Sequence, residues 1–520
     1  MPRPTSGRPY NPSMPRNRIA AIDVGTNSIH MIVVEEMRHG YRVIDKEKEM
    51  VQLGRGSLEG RPLTADAVAR GVEALRKMAA IAKRWKVREV VAVATSAIRE
   101  APNGRRFISA AQKAAGIRIR VISGEEEADY IYRAVRSAID FAGGTALAID
   151  IGGGSVELIV ATADEVFFTG SEPVGALRMA QMFGLDGPAT PAMIDECRAY
   201  ARKRLKKTLS RIGALGFDFS VGTSGTILAL ASLATTNNED MSSGLRWLAR
   251  KRLREVIDAL TPLSASERAR RFAIDEPRAE TILAGAIVLD EIMRKLEIAH
   301  LRACDAALRE GIVEYVLGRI REPRERGSVR RASVLGLVER SDVERTHATH
   351  VARLALRIFD QTQDLHHFRT GERELLEYAA LLHEVGTHVS YQSHQKHSYY
   401  LISHAGLRGF TTDQVAVVAN VARYYRKSVP KEEHENFAPL SDAQKEVVRK
   451  LTAMLRIADA LDRGRQRAVR DVGVGITKKK IHFHVRLRGD ARVEMAAASR
   501  RAKYFGKVFG KDVDLESSAV

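Results

Sequence analysis

The chain has 520 residues, too many for one ordinary domain, and this length predicts about three or four domains. Apolar residues make up 45% and charged residues 28%, proportions typical of a globular protein with a well-solvated surface. No run approaches the ~18 apolar residues of a membrane helix, so we expect no membrane partner. The net charge of +19 favours polyanionic partners without choosing between nucleic acid, a phosphate polymer and a nucleotide.

The N-terminal segment and the cysteines indicate the compartment in which the protein is found. Residues 1–17 are polar, basic and proline-rich and lack the apolar stretch of a secretory signal, so we expect a disordered N-terminal tail. Cys197 and Cys304 are the two cysteines of the sequence. Two thiols in so long a chain indicate a reducing compartment, and we expect a cytoplasmic protein without a cysteine metal cluster.

From residue 19 to about residue 320, strands alternate with helices, a pattern that argues for α/β layers. The predicted strands are Ile19–Ile22, Met31–Glu35, Val90–Ala94, Ile119–Ile122, Ala146–Ile149, Leu158–Ala161 and Phe219–Val221. The predicted helices include Ala65–Arg84, Glu126–Ala138, Asp195–Arg211, Trp247–Leu260 and Arg278–Leu296.

The second part of the chain has a different pattern. Residues 323–332 are charged and punctuated by proline and glycine, which predicts a linker. Apolar residues then recur at helical spacing, so residues 333–468 predict an all-helical domain. Residues 469–520 predict a small C-terminal α/β module, because strand-like alternation in Ile481–Leu487 is followed by a short helix and by Val513–Leu515.

One internal repeat stands out. DVGTNSI at residues 23–29 and DIGGGSV at residues 150–156 share one frame, and each lies between two apolar strands. Glycine-rich hairpins expose backbone N–H groups to anions, and the aspartate that ends each preceding strand can hold magnesium. Two such hairpins facing each other would bind a phosphate chain from both sides, although two ordinary tight hairpins would give the same pattern. The candidate phosphate-binding residues are Gly25, Thr26, Asn27, Ser28, Gly152, Gly153, Gly154 and Ser155, and the candidate magnesium ligands are Asp23 and Asp150.

A third glycine-containing loop, VGTSGT, follows a strand and opens a helix. Its amides would lie at a helix N-terminus, which attracts anions, but a plain N-cap turn explains the sequence equally well. Its candidate anion-binding residues are Gly222, Thr223 and Ser224. None of the three loops is a Walker A motif, and a strand rather than a helix follows the first two, which excludes a dinucleotide fingerprint.

Carboxylates near these loops are candidates for catalysis. Glu125, Glu126 and Glu127 follow one another at a predicted helix start, and their side chains point about 100° apart, so one of them can face a cleft as a general base. The residues alone do not say which one. Glu157 lies two positions beyond Ser155 and is a candidate for metal binding or water activation.

The motifs AIDVGTNSIHM, ATSAIRE, ISGEEEA, AIDIGGGSVEL, PVGALRM and VGTSGT occur in this order over roughly residues 18–320, and together they resemble the exopolyphosphatase/guanosine pentaphosphate phosphatase (Ppx/GppA) family. The resemblance implies an actin-like (ribonuclease H-like) two-lobed α/β core, with lobe I at residues 18–140 and lobe II at 141–322. It implies a magnesium cofactor, Glu127 as the catalytic base and Arg99 as a phosphate contact. Asp23 would then lie in the first phosphate loop, and Asp150 and Glu157 in the second phosphate and metal loop.

The helical domain resembles the HD-like domain of longer family members, through HATHVARLALRIFD, LLHEVG and LRIADALDR. An HD site takes a His, a His-Asp pair and a distant Asp, and the matching positions here are His347, His383 with Glu384, and Asp459. Glutamate is one methylene longer than aspartate, so a relic without metal, a single bound metal and an active site all stay open. We expect this domain to support dimerisation and polyphosphate binding rather than a second reaction.

The resemblance implies an enzyme that releases terminal phosphate from polyphosphate, from pppGpp or from both. The basic charge and the long C-terminal extension favour polyphosphate, with pppGpp as the alternative. A kinase of the same superfamily would need an adenosine pocket and a non-catalytic sensor would not need the carboxylates, so both are weaker hypotheses. We expect a homodimer and no requirement for nucleic acid.

Overall fold

The first lobe is built on a meander of three antiparallel strands. The computed structural model describes residues 17–234, 245–320 and 329–519, so the predicted tail lies outside the described residues except at its last position. The strand order across the first sheet is β3-β2-β1-β4-β5, with β4 parallel to β1 and β5 parallel to β4. Its strands are β1 (Arg18–Val24), β2 (Ile29–Met37), β3 (Gly40–Glu49), β4 (Glu89–Ala94) and β5 (Ile119–Val121). Its helices are α1 (Ala65–Arg84), α2 (Ser96–Glu100), α3 (Gly104–Ala115) and α4 (Gly124–Ala138).

Helix α1 shows how local sequence sets the element bounds. The hydroxyl of Thr64 accepts a hydrogen bond from the backbone N–H of Ala67, which satisfies one donor of the first turn. Lys83 and Arg84 in the last turn complement the negative end of the helix dipole. The helix begins and ends at the residues predicted from the sequence.

The second lobe repeats the topology of the first. Its strand order, β8-β7-β6-β9-β11-β10, begins with an antiparallel meander and continues with parallel neighbours. Its strands are β6 (Ala146–Ile151), β7 (Val156–Ala161), β8 (Val166–Glu172), β9 (Phe219–Thr223), β10 (Leu245–Ala249) and β11 (His300–Cys304). Its helices are α5 (Ala176–Phe183), α6 (Pro191–Leu215), α7 (Ser224–Ala234), α8 (Arg250–Leu260), α9 (Ala265–Phe272), α10 (Glu276–Ala279) and α11 (Ile282–Lys295).

The three helices predicted in this lobe all differ from the observed helices in their bounds. Helix α6 begins at Pro191 and ends at Leu215, beyond both ends of the predicted helix Asp195–Arg211. Trp247 lies in the edge strand β10, and the helix begins only at Arg250. The stretch from Arg278 to Leu296 was predicted as one helix, but α10 ends at Ala279 and α11 starts at Ile282.

The last helix of the α/β region, α12 (Leu308–Ile320), packs on the sheet of the first lobe. Leu308, Ile312 and Val316 are buried in one cluster with Ile19 and Ile32 of that sheet. Lobe II, predicted as residues 141–322, therefore contributes its final helix to the core of lobe I.

Residues 329–519 form most of a second compact unit, and the first unit holds most of residues 17–320. Its helical part contains α13 (Val329–Arg340), α14 (Arg345–Gln361), α15 (Gln363–His366), α16 (Thr370–Leu382), a 3₁₀ helix (Val385–His388), α17 (His394–His404), α18 (Thr412–Tyr424) and α19 (Asp442–Ala460). Helix α13 begins inside the predicted linker 323–332, whose positions up to 328 lie outside the described residues.

A three-stranded sheet and one helix complete the second unit. The strand order is β12-β13-β14, and α20 joins β13 to β14. The elements are β12 (Val469–Ile476), β13 (Lys480–Leu487), α20 (Arg492–Phe509) and β14 (Asp512–Ala519). Phe483 and Phe505 are fully buried in the same hydrophobic cluster as Leu376 and Leu451 of the helices. The predicted C-terminal module thus shares one core with the helical domain.

Among the helices in the described ranges, none combines the length and the apolar character needed to cross a membrane.

Candidate active site between two glycine loops

The two hairpins predicted as a repeat have the same backbone geometry. The N–H of Gly25 donates to the carbonyl of Ser28 at 3.1 Å, and the N–H of Gly152 donates to the carbonyl of Ser155 at 3.0 Å. The strand registers also match, since Asp23 faces His30 and Asp150 faces Glu157. The internal repeat is therefore structural, and His30 is the counterpart of Glu157.

The two loops touch each other. A Cβ on Gly153 would lie 3.1 Å from the Cβ of Thr26, and a Cβ on Gly154 would overlap the hydroxyl of Ser96. The hydroxyls of Thr26 and Ser96 are 2.9 Å apart and hydrogen bonded. Glycine is required at these two positions because residues of lobe I lie too close to leave room for a side chain. The contact brings the loops of lobe I and lobe II to one site.

Four carboxylates from both lobes gather beside these loops. Glu127 and Glu157 are buried, whereas Asp23 and Asp150 keep part of their surface open. Burial raises the pKa of Glu157 to about 7, with a further rise from the charge of Asp150. Burial likewise raises the pKa of Asp150 to about 6, against the hydrogen bond that it accepts from the Thr223 hydroxyl.

The other two carboxyl groups belong to the same electrostatic cluster. Burial raises the pKa of Asp23 to about 7; the charge of Arg309 opposes this rise and that of Asp150 adds to it. Burial and the charge of Glu157 raise the pKa of Glu127 well above its usual range, although Arg99 lowers it. Negative charge on neighbouring carboxyl groups thus adds to the effect of burial on the pKa values of Asp23, Glu127 and Glu157.

Two of these carboxylates have an oxygen without a hydrogen-bond partner among the described residues, Asp23 Oδ1 and Glu157 Oε2. The other oxygen of Glu157 accepts from the Ser171 hydroxyl at 2.8 Å. The buried Oδ1 of Asn27 in the first loop also has no partner there. Unpartnered carboxylate and amide oxygens are the ligands that a hard divalent cation prefers, so these residues fit such an ion.

The structure separates the three consecutive glutamates. Glu125 is exposed, and Glu126 caps the helix at Ser123 and pairs with Arg120. Glu127 is 7% exposed and its carboxylate lies 3.3 Å from the Arg99 guanidinium. Of the three, Glu127 alone belongs to the carboxylate cluster.

The N-terminus of α5 holds the second loop and was not predicted as part of the site. The backbone N–H groups of Ala176 and Leu177 each donate at 2.9 Å to the carbonyls of Gly152 and Gly153. The buried Arg178 donates to the carbonyl of Gly154 at 2.9 Å and forms an ion pair with Glu100 at 2.7 Å. The motif PVGALRM was the signal for this contact, but its sequence does not say what it touches.

The third loop contributes one contact to the site. Gly222 is buried against the side chains of Leu301 and Ile227 and is not exposed at the site. Ser224 has a φ of 82° and starts α7. The loop reaches the carboxylates through the Thr223 hydroxyl, which donates to Asp150.

His30 and Arg309 were also missed by sequence reasoning. The imidazole of His30 lies 2.6 Å from the Ser28 hydroxyl and 3.2 Å from the Arg309 guanidinium. Burial lowers the pKa of His30 to about 3, with Arg309 lowering it further, so the ring is neutral. Arg309 reaches this place from α12, far along the chain, and no local pattern signals it.

The predicted HD-like residues lie together in the second unit. His347, His383 and Asp459 each offer a ligand atom within 4.8 Å of the others. The fourth predicted residue, Glu384, is turned to an ion pair with Arg465 at 2.6 Å.

Comparison with known proteins decides the family. The model of the Ppx/GppA phosphatase family matches residues 32–319, which is more than half of the chain, and its domain III matches residues 329–496. The chain belongs to the Ppx/GppA phosphatase family. Members of this family hydrolyse phosphoanhydride bonds, so this Ppx/GppA phosphatase is an enzyme.

Its relatives are named for two substrates. A "Guanosine-5'-triphosphate,3'-diphosphate pyrophosphatase" of Vibrio vulnificus (strain YJ016) is 30% identical over 454 residues, 86% of this chain and 87% of that protein. A crystal structure of an exopolyphosphatase from Cytophaga hutchinsonii is 25% identical, with a TM-score of 0.56, and covers 59% of this chain and 99% of that one.

A family member from Aquifex aeolicus is 27% identical, with a TM-score of 0.51, and covers 59% of this chain and all of that one (100%). These likenesses confirm the actin-like fold of the two N-terminal lobes.

Proposed function

We propose that this phosphatase is an exopolyphosphatase, which hydrolyses the terminal phosphoanhydride of inorganic polyphosphate and releases orthophosphate. The observation that carries the proposal is the group of four carboxylates, Asp23, Glu127, Asp150 and Glu157, beside two touching glycine loops. Glycine loops bind phosphate oxygens, and carboxylates provide a base and cation ligands.

Glu127 is the proposed catalytic base. Burial and the charge of Glu157 raise its pKa well above the usual range of a carboxyl group, which strengthens it as a proton acceptor, and Arg99 holds its carboxylate. Water attacks the terminal phosphorus as its proton passes to Glu127, the new O–P bond forms, and the bridging P–O bond breaks toward the shortened chain. We assign Arg99 a contact with phosphate oxygens in addition to its contact with Glu127.

The two glycine loops are the proposed phosphate-binding residues. The N–H groups of Gly25 and Gly152 are used inside the loops, so phosphate binding falls to the positions that follow each of them. These are the amides and hydroxyls of Thr26, Asn27, Ser28, Gly153, Gly154 and Ser155.

We propose magnesium as the cofactor and Asp23, Asp150 and Glu157 as the residues that hold it. The unpartnered oxygens of Asp23 and Glu157 support this assignment. Magnesium, when bound, would neutralise negative charge on the phosphate that is transferred. Without such a cation the carboxylates would repel the substrate, because carboxylate and phosphate groups are both negatively charged.

Polyphosphate is favoured over pppGpp by the net charge of +19, since a long polyanion contacts several cations at once. The second candidate substrate is pppGpp, because the Vibrio vulnificus relative that matches 86% of this chain is named a guanosine-5'-triphosphate,3'-diphosphate pyrophosphatase. The HD-like nature of the helical domain, the homodimer and the cytoplasmic location stay predictions.

Phosphate release by the purified full-length chain tests the substrate directly. Orthophosphate is measured with malachite green for long-chain polyphosphate and for pppGpp at equal magnesium concentration, and kcat/KM is compared. We expect polyphosphate to have the higher kcat/KM and Glu127→Gln to lose both activities. A higher kcat/KM for pppGpp would contradict the polyphosphate assignment, and activity retained in Glu127→Gln would contradict the site.

A further inference from the structure

One imidazole lies beside the first glycine loop, where the matching position of the second hairpin carries a carboxylate. His30 on β2 occupies the register position that Glu157 occupies on β7. Its ring contacts two side chains, the hydroxyl of Ser28 through one nitrogen and the guanidinium of Arg309 through the other. The two hairpins therefore differ in chemistry at this position.

The contact with Arg309 fixes which ring nitrogen carries the proton. Arg309 Nη1 lies 3.2 Å from His30 Nδ1. A guanidinium group can only donate hydrogen bonds, so Nδ1 must be the acceptor in this contact. A neutral imidazole whose Nδ1 accepts carries its single proton on Nε2.

The ring is neutral because its surroundings oppose a second proton. Burial lowers the pKa of His30 to about 3, and the charge of Arg309 lowers it further. The charges of Lys48 and Arg278 act on the ring in the same direction. Three cations around one imidazole thus exclude the doubly protonated form, and the Arg309 contact selects the tautomer with the proton on Nε2.

This tautomer sets the direction of the hydrogen bond with Ser28. His30 Nε2 lies 2.6 Å from Ser28 Oγ. Because Nε2 carries the proton, the imidazole donates and the hydroxyl oxygen accepts. Among the residues that the structure describes, Ser28 Oγ has no other hydrogen-bond partner. The hydroxyl keeps its own proton, which is therefore available to an acceptor beside the loop.

We propose that Arg309 and His30 are positioning residues that make the Ser28 hydroxyl a hydrogen-bond donor to a phosphate oxygen of the substrate. This proposal rests on the proposed phosphate-binding role of the first glycine loop. The opposite tautomer would accept the hydroxyl proton and would leave only lone pairs of Ser28 toward the substrate, which repel a phosphate oxygen. Arg309 excludes that tautomer, and the effect is the same for polyphosphate and for pppGpp because both end in a phosphoanhydride.

Variants of His30 and Ser28 test the activity side of the proposal. His30→Leu should lower kcat/KM for phosphate release at least about tenfold, because a hydrogen bond to a charged acceptor is misdirected. His30→Gln should stay within about threefold of the wild type, since one amide group carries both an acceptor for Arg309 and a donor for Ser28.

A double-mutant cycle shows whether the histidine acts through the hydroxyl. Ser28→Ala should lower kcat/KM about as much as His30→Leu, and the double variant should lose less than about twofold more than Ser28→Ala. Circular dichroism checks that each variant is folded. Losses that multiply in the double variant, or a His30→Gln variant as impaired as His30→Leu, would overturn the proposal.

NMR of ¹⁵N-histidine-labelled protein reads the tautomer without any substrate. The His30 signals are those missing from His30→Gln, and the ¹⁵N shifts of the two ring nitrogens show which one is protonated. We expect the Nε2-protonated ring in the wild type and in Lys48→Met, whose charge acts on the ring without a hydrogen bond to it in the described part of the chain.

Arg309→Met should release the ring to a mixture of tautomers, and it is judged by NMR alone because the charge of Arg309 also acts on Asp23. A wild-type ring protonated on Nδ1, or an unchanged tautomer in Arg309→Met, would overturn the proposal. A wild type that releases phosphate only from pppGpp would contradict the polyphosphate assignment instead, and the same variants are then compared on pppGpp.

Discussion

At the scale of single residues, burial separates side chains of the same type. Glu126 and Glu127 are neighbours, but Glu126 pairs with Arg120 at the surface whereas Glu127 is 7% exposed beside Glu157. The buried carboxyl group has a raised pKa and the exposed one a lowered pKa, the latter through its hydrogen bonds with Ser123 and Arg120. The chemistry of each glutamate therefore depends on which face of α4 carries it.

Glu127→Gln should lower kcat for phosphate release by about 10²–10⁴-fold, because a general base is lost while side-chain shape is kept. KM should change little, since the glycine loops are intact. Steady-state phosphate release measures both values. Glu126→Gln is the matched control and should stay within about threefold of the wild type. Loss of activity in Glu126→Gln rather than in Glu127→Gln would show that the wrong helix face was chosen.

Asp150→Asn and Glu157→Gln should each raise the magnesium concentration needed for half-maximal activity, because each removes an anionic oxygen ligand. EDTA should abolish the turnover of the wild type. The measurement is a magnesium titration of phosphate release for the three proteins. Full activity in excess EDTA would exclude a metal role for these carboxylates.

Asp23→Asn should stabilise the metal-free protein, and the stabilisation should grow with pH. The pKa of Asp23 is raised from 3.8 to about 7 in the folded chain, so the folded state binds the proton more tightly than the unfolded state. Above pH 7 the carboxyl group must be ionised while it is buried, so it lowers the free energy of unfolding most there. Below about pH 4 the group is protonated in both the folded and the unfolded state, and this destabilisation disappears. The full shift in the pKa of Asp23 corresponds to a destabilisation of the folded state by on the order of 1–4 kcal/mol, once solvent screening at the partly open cleft is allowed for.

Thermal unfolding in EDTA at pH 5 and pH 8 measures this effect. The difference in Tm between Asp23→Asn and the wild type should be larger at pH 8. An equal or smaller difference at pH 8 would show that Asp23 is not held in its neutral form by the fold.

At the scale of elements, the contact between the second glycine loop and α5 links the fold to the site. A Cβ on Gly175 would lie 2.5 Å from the backbone of Gly153, Gly154 and Ser155, which is too close for any carbon. Gly175 has an ordinary φ of −66°, so its need for glycine comes from the approach of the loop and not from backbone strain.

Gly175→Ala should displace the second loop and lower kcat/KM for phosphate release by about tenfold or more, because small misplacements of binding groups are costly to catalysis. Gly187→Ala is the matched control, since a Cβ there meets nothing within 4 Å. It should leave kcat/KM within about threefold of the wild type. Similar kcat/KM values for the two variants would show that the loop position does not govern the reaction.

At the scale of the whole molecule, the net charge of +19 predicts how the substrate is bound. The KM for long-chain polyphosphate should rise with potassium chloride concentration, because binding releases condensed cations from the polyanion. The KM for tripolyphosphate should rise less, since a short chain contacts fewer cations. Equal salt dependence for both substrates would argue against an extended basic binding surface.

Local pattern was enough for the elements whose neighbours are close in sequence. The two glycine hairpins were predicted because each strand, loop and return strand is continuous, so the register follows from the turn. Helix α1 was predicted with its bounds because its cap and its basic last turn are encoded locally. The family resemblance pointed to Glu127, but the residues alone left three glutamates equivalent.

The sequence by itself determined the alternating α/β core, the duplicated hairpin, the helical second part and the set of candidate carboxylates and histidines. Only the tertiary structure decided that Glu127 is the buried glutamate, that α12 packs on the first lobe, and that Arg178 and Arg309 reach the site. It also decided that Glu384 turns to Arg465 while His347, His383 and Asp459 converge. The reason is physical: periodicity encodes which face of an element is buried, whereas the partner of that face is set by packing between segments far apart in the chain.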